Sequence, residues 1–297
     1  MSDILLECSQ QQLRSMLGTL KLCLPRRIQQ HNFIHSYFYH YERINANRDK
    51  LKSERWNLRL YTHRYGRLEN CTLLSLNGCG DYIVQCFTLQ ESQEELKQCL
   101  LETNLINWNP KRMYLVCDES IFRMVKEIAC QKMPVPWKCE SIENIMYITK
   151  EKIAALQVNE KLPDDLYVGP LDAEKHAKTI NEHWSHKYEH SLSLIRQSIE
   201  FNGGLGLFRS GDDQPLCWML ENELLAPGFL FTMPSERRKG YGELIMKLEL
   251  QRLLKIHNLD LFTFVIVTNE PSLYLHRKLG FEIACRIVWI EKPDEEQ

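Results

Sequence analysis

Phe231-Thr-Met-Pro-Ser-Glu-Arg-Arg-Lys-Gly-Tyr-Gly242 is the stretch on which the reading of this 297-residue chain turns. An apolar run, Leu224 to Met233, stops at Pro234, and a basic, glycine-punctuated turn leads into the helical pattern Glu243 to Ile256. The order predicted is a strand, a tight turn and a helix N-terminus. Such a turn leaves several backbone N–H groups unpaired and pointing the same way, at the positive end of the helix dipole. Gly240 and Gly242 carry no Cβ, so a ligand can approach the backbone closely. Arg237, Arg238 and Lys239 add positive charge beside those amides. The guest such a turn suits is a pyrophosphate.

Other phosphate motifs fit less well. A Walker A loop is longer and ends in Gly-Lys-Ser/Thr, and neither feature is present. A dinucleotide fingerprint needs three spaced glycines and an acidic residue about 20 positions on, at the end of the next strand. Asp260 falls near that distance but ahead of the strand, which removes it. Taken alone, Gly-x-Gly reads first as an ordinary helix N-terminus with surface basic residues.

The surroundings change that reading. Arg237-x-x-Gly240-x-Gly242, with Pro234 just ahead, resembles the acyl-CoA-binding motif of the GCN5-related N-acetyltransferase (GNAT) superfamily. Downstream, Leu261-Phe-Thr-Phe-Val-Ile-Val267 reads as a buried strand, rich in β-branched and aromatic residues. Asn269-Glu-Pro-Ser-Leu-Tyr-Leu-His-Arg-Lys-Leu-Gly-Phe281 then resembles that superfamily's second signature. Two signatures in the right order and separation predict a GNAT fold in the C-terminal half, within an α+β chain.

Composition bounds the alternatives. A 44% hydrophobic, 26% charged chain is globular in character, and a net charge of −2 implies no general attraction to nucleic acid or anionic membrane. Eleven cysteines are scattered from Cys8 to Cys285 with no Cys-x-x-Cys pair, which argues for reduced intracellular thiols over a disulfide framework. No apolar stretch is long enough for a membrane span. The start, Met1-Ser-Asp-Ile-Leu-Leu-Glu-Cys, lacks the basic and apolar regions of a secretory signal, and its early Asp3 and Glu7 argue weakly against a mitochondrial presequence. A cytoplasmic protein is expected, with the mitochondrion left open.

Taken in order, residues 9–22 form an amphipathic helix with Ser9 as N-cap. Residues 32–45, rich in Phe and Tyr, read as a strand, an aromatic helix face being the alternative. Trp56–Tyr61, Cys71–Leu76 and Tyr82–Leu89 are strand candidates, with the turn Asn77-Gly-Cys-Gly-Asp between the last two. Glu91–Leu101 reads as a helix, Met113–Cys117 as a buried strand, and Asp118 as the cap of a helix to about Gln131. Ile145–Thr149 is a further strand. The charged stretch Lys150–Asp165 is the expected boundary, giving domains 1–150 and 151–297. Beyond it come strand Tyr167–Leu171, helices Ala173–His186 and Leu192–Phe201, and the hairpin Leu205–Phe208 with Leu216–Leu220. After Phe281 only one strand fits, Glu282–Ile290, where the superfamily normally has two.

The likeness extends further. Cys217-Trp218 and their spacing to Pro234, Leu105-Ile-Asn-Trp108, and Leu20 to Pro25 are similar to the glycine N-acyltransferase family. That resemblance implies an acyl-CoA or acetyl-CoA donor, an amine acceptor such as glycine or another amino acid, and an N-terminal half that is a degenerate GNAT-like α/β partner. The family's proposed general base is a Glu eight residues before its Pro; here that position is Ala226. Glu221 and Glu223 lie nearby, but an exposed hairpin end is their expected place.

Acyl transfer from a thioester to an amine needs a neutral amine, a held oxyanion and a proton for the departing thiolate. Backbone groups of Phe231, Thr232 and Met233 are expected to pair with the pantetheine arm as an added strand. Arg237, Arg238, Lys239, Gly240, Tyr241 and Gly242 form the phosphate turn. Asn269 and Ser272 are expected beside the arm, with helix capping an equal role for Asn269. The superfamily often has a Tyr seven residues after this Asn; here that position is His276, with Tyr274 two places earlier. Two helical residues turn about 200°, so the two cannot face one sulfur. Register favours His276 as acid or base; packing at the helix surface is the rival role. His183, His186 and His190 share a helical face, but no Cys or carboxylate completes a metal set, so acceptor-pocket lining or a solvated helix end is favoured and no metal is expected. Direct transfer, without an acyl-enzyme, is the default. A protein or polyamine N-acetyltransferase and a non-catalytic acyl-CoA-binding regulator are the competing functions, and the sequence carries no sign of oligomeric state.

Overall fold

The structure, a computed structural model, describes residues 2–46, 59–79, 81–159 and 161–292, and the statements below concern these. The chain divides into two compact units: Met1–Ile145 with Ile266–Thr268 and Ala284–Gln297, and Met146–Val265 with Asn269–Ile283. The reading from sequence drew one cut at residue 150; this division gives most of the last strand to the first unit.

The first unit runs β1 (Leu5–Glu7), α1 (Gln10–Lys21), α2 (Ile28–Ala46), β2 (Leu60–His63), β3 (Leu73–Cys79), β4 (Asp81–Phe87), α3 (Glu94–Glu102), β5 (Met113–Asp118), α4 (Phe122–Lys132) and the greater part of β6 (Lys138–Ile148). Ser9 caps α1 as expected, with a reciprocal bond from Gln12 that forms a capping box, and Leu13, Met16 and Leu20 are buried. Residues 32–45 are helix, not strand, as part of α2. Every residue from Arg27 to Ile34 is buried, so this helix is enclosed nearly all round and shows no amphipathic stripe to read. Its aromatics are in helical register, with Tyr37 stacked on Tyr41 at 5.9 Å. Of the candidate strand Trp56–Tyr61, residues 56–58 lie outside the described residues, and β2 begins at Leu60. The Asn77–Asp81 turn joins an antiparallel hairpin, β3 to β4, though Gly80 is outside the described residues. Asp118 caps a short 3-10 turn, Glu119–Ile121, that leads into α4.

The sheet of this unit has the order β1-β2-β3-β4-β5, followed by the later part of β12 (Glu282–Lys292) and by β6. β4 and β5 are parallel and fully zipped, from Tyr82 opposite Met113 to Cys86 opposite Cys117.

The second unit contains the end of β6, α5 (Lys150–Ala155), β7 (Leu166–Pro170), α6 (Ala173–His183), α7 (Ser191–Phe201), β8 (Gly204–Arg209), β9 (Cys217–Glu221), β10 (Pro227–Thr232), α8 (Tyr241–His257), β11 (Leu261–Ile266), α9 (Glu270–Lys278) and the start of β12. The expected boundary stretch thus carries the short helix α5, capped by Thr149. β10-β9-β8-β7 form an antiparallel sheet of four. β11 is not part of it; its neighbour is β6, and on the other side of β6 the Tyr147 hydroxyl donates to Glu282 Oε2 of β12 at 3.3 Å. The strand missing after Phe281 is therefore supplied from upstream, by residues 146–148. Met219, Ile245, Leu250, Leu253, Leu261 and Val265 pack one side of the four-stranded sheet, while Ala177, Ile180, Ile195, Ile199 and Trp218 pack the other. Each such fully buried aliphatic side chain stabilises the fold by about 1.5–3 kcal/mol.

One polar cluster lies inside this core. Glu221 and Glu249 are both 0% exposed. Arg252 bridges them, with Nη2 at 3.2 Å from Glu221 and 2.7 Å from Glu249, and its Nη1 donates to the Asn202 carbonyl at 3.1 Å. His257 Nε2 is 2.5 Å from the other Glu221 oxygen. The exposed hairpin end expected for Glu221 is thus corrected to full burial in an ion-pair network; Glu223 is half-buried. Burial pushes the Glu249 carboxyl up, against the pull of Arg252. An Arg252→Met substitution leaves two buried carboxylates without their cation, and it should cost about 3–5 kcal/mol in urea unfolding at pH 7.5. Because the uncompensated carboxylates then take up protons in the folded state, the deficit against wild type should shrink between pH 7.5 and 5.5.

Candidate active site

β10 and β11 are joined through α8. They share no ladder. Each stands at the edge of its own sheet, and the Thr263 hydroxyl bonds the Pro227 carbonyl across their base at 2.9 Å. A bulge between Gly228 and Phe231 bends β10, with Phe229 left-handed at φ 57°. A bulge leaves the extra residue without a ladder partner. The result is a wedge with one free strand edge on each side.

The expected phosphate turn follows β10 and leads into α8. Arg238 (φ 62°) and Gly240 (φ 83°) are both left-handed, and alternation of this kind turns successive N–H groups inward as an anion nest. Gly240 is the N-cap of α8 and no side chain caps the helix, so the first-turn amides of Tyr241, Gly242 and Glu243 are unpaired. A Cβ at Gly240 would meet nothing within 4 Å, whereas one at Gly242 would sit 3.3 Å from Thr232 Oγ1. Space for a guest lies on the Gly240 side.

The basic residues divide their roles. Arg237 bonds the Thr232 carbonyl at 3.1 Å and lies 5.4 Å from the Phe231 ring centroid. Lys239 is held by Glu236 at 2.8 Å, and Glu236 also faces Arg209. Arg238 is exposed beside the amides. Of the three backbone groups expected to receive an added strand, the Met233 N–H is spent on the Leu216 carbonyl at 2.9 Å, a correction to that expectation, while Phe231 and Thr232 pair with Trp218 and Cys217 on the β9 side.

At the start of α9, Asn269 Oδ1 accepts from the Ser272 N–H at 3.2 Å, so capping is the role observed. Tyr274 is 71% exposed and points away from the packed side of α9. His276 is 3% exposed, packed against Phe281 with 5.0 Å between ring centroids. Its Nδ1–H donates to the Ser272 carbonyl at 2.7 Å, which leaves the proton-free Nε2 sealed from solvent without a hydrogen-bond partner. Burial pushes its pKa down to about 4. At neutral pH the ring keeps its one proton on Nδ1, held by the Ser272 carbonyl. α6 ends at His183, so His186 and His190 do not continue one helical face with it, and among the described residues no group of three His, Cys, Asp or Glu is placed to hold a metal ion.

Cys217, beside Thr232 at 3.1 Å, is pushed up to about 11 by burial, so it is a neutral thiol and no ready nucleophile. Ala226, where the resembling family has a carboxylate, is fully buried; its N–H donates to Asn222 Oδ1 at 3.1 Å and its carbonyl accepts from the Asn222 N–H at 2.9 Å. A side chain there faces the core.

Sequence reasoning missed the aromatic wall over the bulge. Trp184 packs on Phe229 at 5.0 Å, Trp218 stacks on Phe231 at 5.0 Å, and His183 lies 5.1 Å from Phe231. The helix end at His183 was visible as a polar cluster; the bulge that brings Phe229 and Phe231 toward it has no sequence signal. Among the described residues no helix is long and apolar enough to cross a membrane.

A histidine whose folded pKa is depressed stabilises the fold above the unfolded value near 6.5, and that stability is lost as pH falls toward 4. The loss corresponds to about 3 kcal/mol. A His276→Phe protein should therefore show a flatter stability profile between pH 7 and 4 in urea titrations than wild type.

Comparison with known proteins agrees with the two-part architecture. The FR47-like protein family matches residues 204–290, and a domain of unknown function (DUF5645) matches residues 4–128. No curated protein matches the sequence. A Drosophila protein of known structure superposes with a TM-score of 0.90 at 23% identity, over 99% of this chain and 100% of its own. A tandem GNAT protein from the clavulanic acid biosynthesis pathway covers 99% of both chains at 10% identity and a TM-score of 0.54. A GCN5-related N-acetyltransferase from Sphaerobacter thermophilus reaches 0.53 at 12% identity, over 85% of this chain and 87% of its own. At such identities the likeness speaks for the fold: this is an α+β chain of two GNAT-like halves, the second carrying the FR47-like region.

Proposed function

We propose that the protein is an acyl-CoA-dependent N-acyltransferase that moves an acyl group directly from a CoA thioester to the amine of a small acceptor, glycine or another amino acid. The observation that carries this reading is the unzipped pair β10 and β11, ending at the uncapped nest of Arg238 to Glu243. A pyrophosphate fits the nest, and an extended pantetheine arm fits the free edge of β10 as an added strand. Arg238 and the amides of Gly240, Tyr241 and Gly242 would hold the phosphates, Arg237 would brace the strand end, and Asn269 would keep its Nδ2 for the arm while its Oδ1 caps α9. Thioester chemistry belongs to the bound acyl-CoA; the chain's part is to place it, and to offer the N–H freed by the bulge to the carbonyl oxygen.

Two rivals fare less well. A polyamine or lysine acceptor would draw on carboxylates, and two of those in this unit are spent, Glu221 on Arg252 and His257 and Glu236 on Lys239 and Arg209. A non-catalytic acyl-CoA-binding regulator draws support from Ala226, but burial of that position in a turn means the chemistry there is not simply lost; it has to come from elsewhere.

Thiol release from acetyl-, butyryl-, benzoyl- and long-chain acyl-CoA, measured against a panel of amino acids and amines, tests the reading. Release that requires one acceptor class is expected. Gly240→Asp, which sets a carboxylate into the open nest with φ 83°, should weaken acyl-CoA binding at least tenfold in calorimetry. Binding and turnover unchanged in that variant would reject the site, and binding without release from any donor would favour the regulator.

A further inference from the structure

We propose that His183 is the general base of the transfer, the group that removes a proton from the acceptor's ammonium. This rests on the acyltransferase reading above. An arm laid along β10 from the phosphate turn runs back from Met233 toward Phe229, about 13 Å of extended strand, so the thioester falls beside the bulge. The histidine ring packed on this stretch of β10 is His183. Its centroid is 5.1 Å from Phe231 and 5.8 Å from Trp218. It is half-buried, so its free edge is within reach of a small ligand.

The tautomer is fixed by the helix. His183 Nδ1 lies 2.9 Å from the Thr179 carbonyl, which can only accept, so Nδ1 carries the proton and Nε2 carries the lone pair. The other histidines of this unit are placed differently. His276 is sealed, His257 is bound to Glu221, His176 Nδ1 accepts from the Asp172 N–H at 2.8 Å, and His186 and His190 are exposed in the loop after α6. The surroundings of His183 are Phe231 from β10, Trp218 from β9 and Trp184 next in sequence. Arg237 lies over the Phe231 ring, Glu182 precedes His183 on α6, and Tyr188 and His186 contact Trp184; of the other charged or titratable groups on these elements, Glu221 is bound to Arg252 and His257, Cys217 to Thr232 and Lys175 to Asp213, with Glu174, His176 and Lys178 further back on α6. No carboxylate pairs with the imidazole among the described residues.

Nε2 takes one proton from the acceptor's ammonium and later gives it to solvent. The freed lone pair forms the C–N bond at the thioester carbonyl carbon. As the C–S bond breaks, sulfur leaves with the bonding pair and takes up the second proton released by the nitrogen, giving amide and free CoA.

His183→Gln keeps the size and the polar contact of the ring but cannot serve as a base. With acyl-CoA affinity and melting temperature near wild type, kcat/KM at pH 7.5 is expected to fall about 100-fold. The acidic limb of the pH–rate profile should disappear, the loss should narrow along a series of amines of falling pKa, and added imidazole should restore part of the rate. His183→Asn, run through the same amine series, serves if the Gln variant does not fold. Wild-type rates and pH profile in the variant overturn the assignment, and so does an equal loss for every amine without imidazole rescue, which marks a packing role. A wild-type protein that binds acyl-CoA and acylates no amine overturns the acyltransferase reading itself, a distinguishable result.

Discussion

Two neighbouring strands that withhold their backbone hydrogen bonds from each other set the terms for the second half of this chain. β10 and β11 meet at the Thr263 hydroxyl and the Pro227 carbonyl and share no ladder. An unpaired strand edge is costly, since its N–H and C=O groups must find water or a partner. Here the cost is localised by the bulge at Phe229, which bends β10 out of pairing geometry, and by the helix-capped turn that follows it. The first half makes the opposite choice with the same connectivity: β4, α3 and β5 also form a crossover, but β4 and β5 zip along their length. Its turn after β4 reads Gln90-Glu91-Ser92-Gln93-Glu94, with acidic residues where the second half has basic ones and no glycine nest. A closed seam and an acidic turn leave no place for a bound pyrophosphate in that half.

Much of this was legible in the sequence, and the parts that were not share a cause. Ser9, Asp118 and Asn269 cap their helices because capping is a local interaction written in consecutive residues. The phosphate turn was legible because glycine, proline and basic residues mark a strained backbone directly. α2 was misread because burial on nearly all sides erases the amphipathic period, and its tyrosines favour strands in isolation. Glu221 was placed in solvent because its partners, Arg252 and His257, lie a helix away in sequence. His276 kept the register of a catalytic position but lost the exposure one needs, and nothing in the motif records burial. The aromatic wall depends on a bulge, and so was beyond reach.

The cluster under β9 shows how such a site can be held open. Glu221 ends β9, Glu249 and Arg252 lie on α8, and Asn202 ends α7, so one guanidinium ties three elements that surround β10. Its distances leave little freedom for α8 to slide. The helix whose N-terminus forms the nest is thereby pinned near its far end, and a buried salt bridge of this kind is better understood as a fixture of position than as a source of net stability.

The order in which these strands are made has a consequence for synthesis. β5 is paired on one side with β12, from Ile287 opposite Asp118 to Lys292 opposite Met113. β12 follows every other described element. As the polypeptide leaves the ribosome, the N-terminal unit therefore waits with one strand edge uncovered until residues 284–292 emerge. Cutting the chain ahead of β12 would leave the β5 edge of that unit bare, a surface prone to sticking to its own kind.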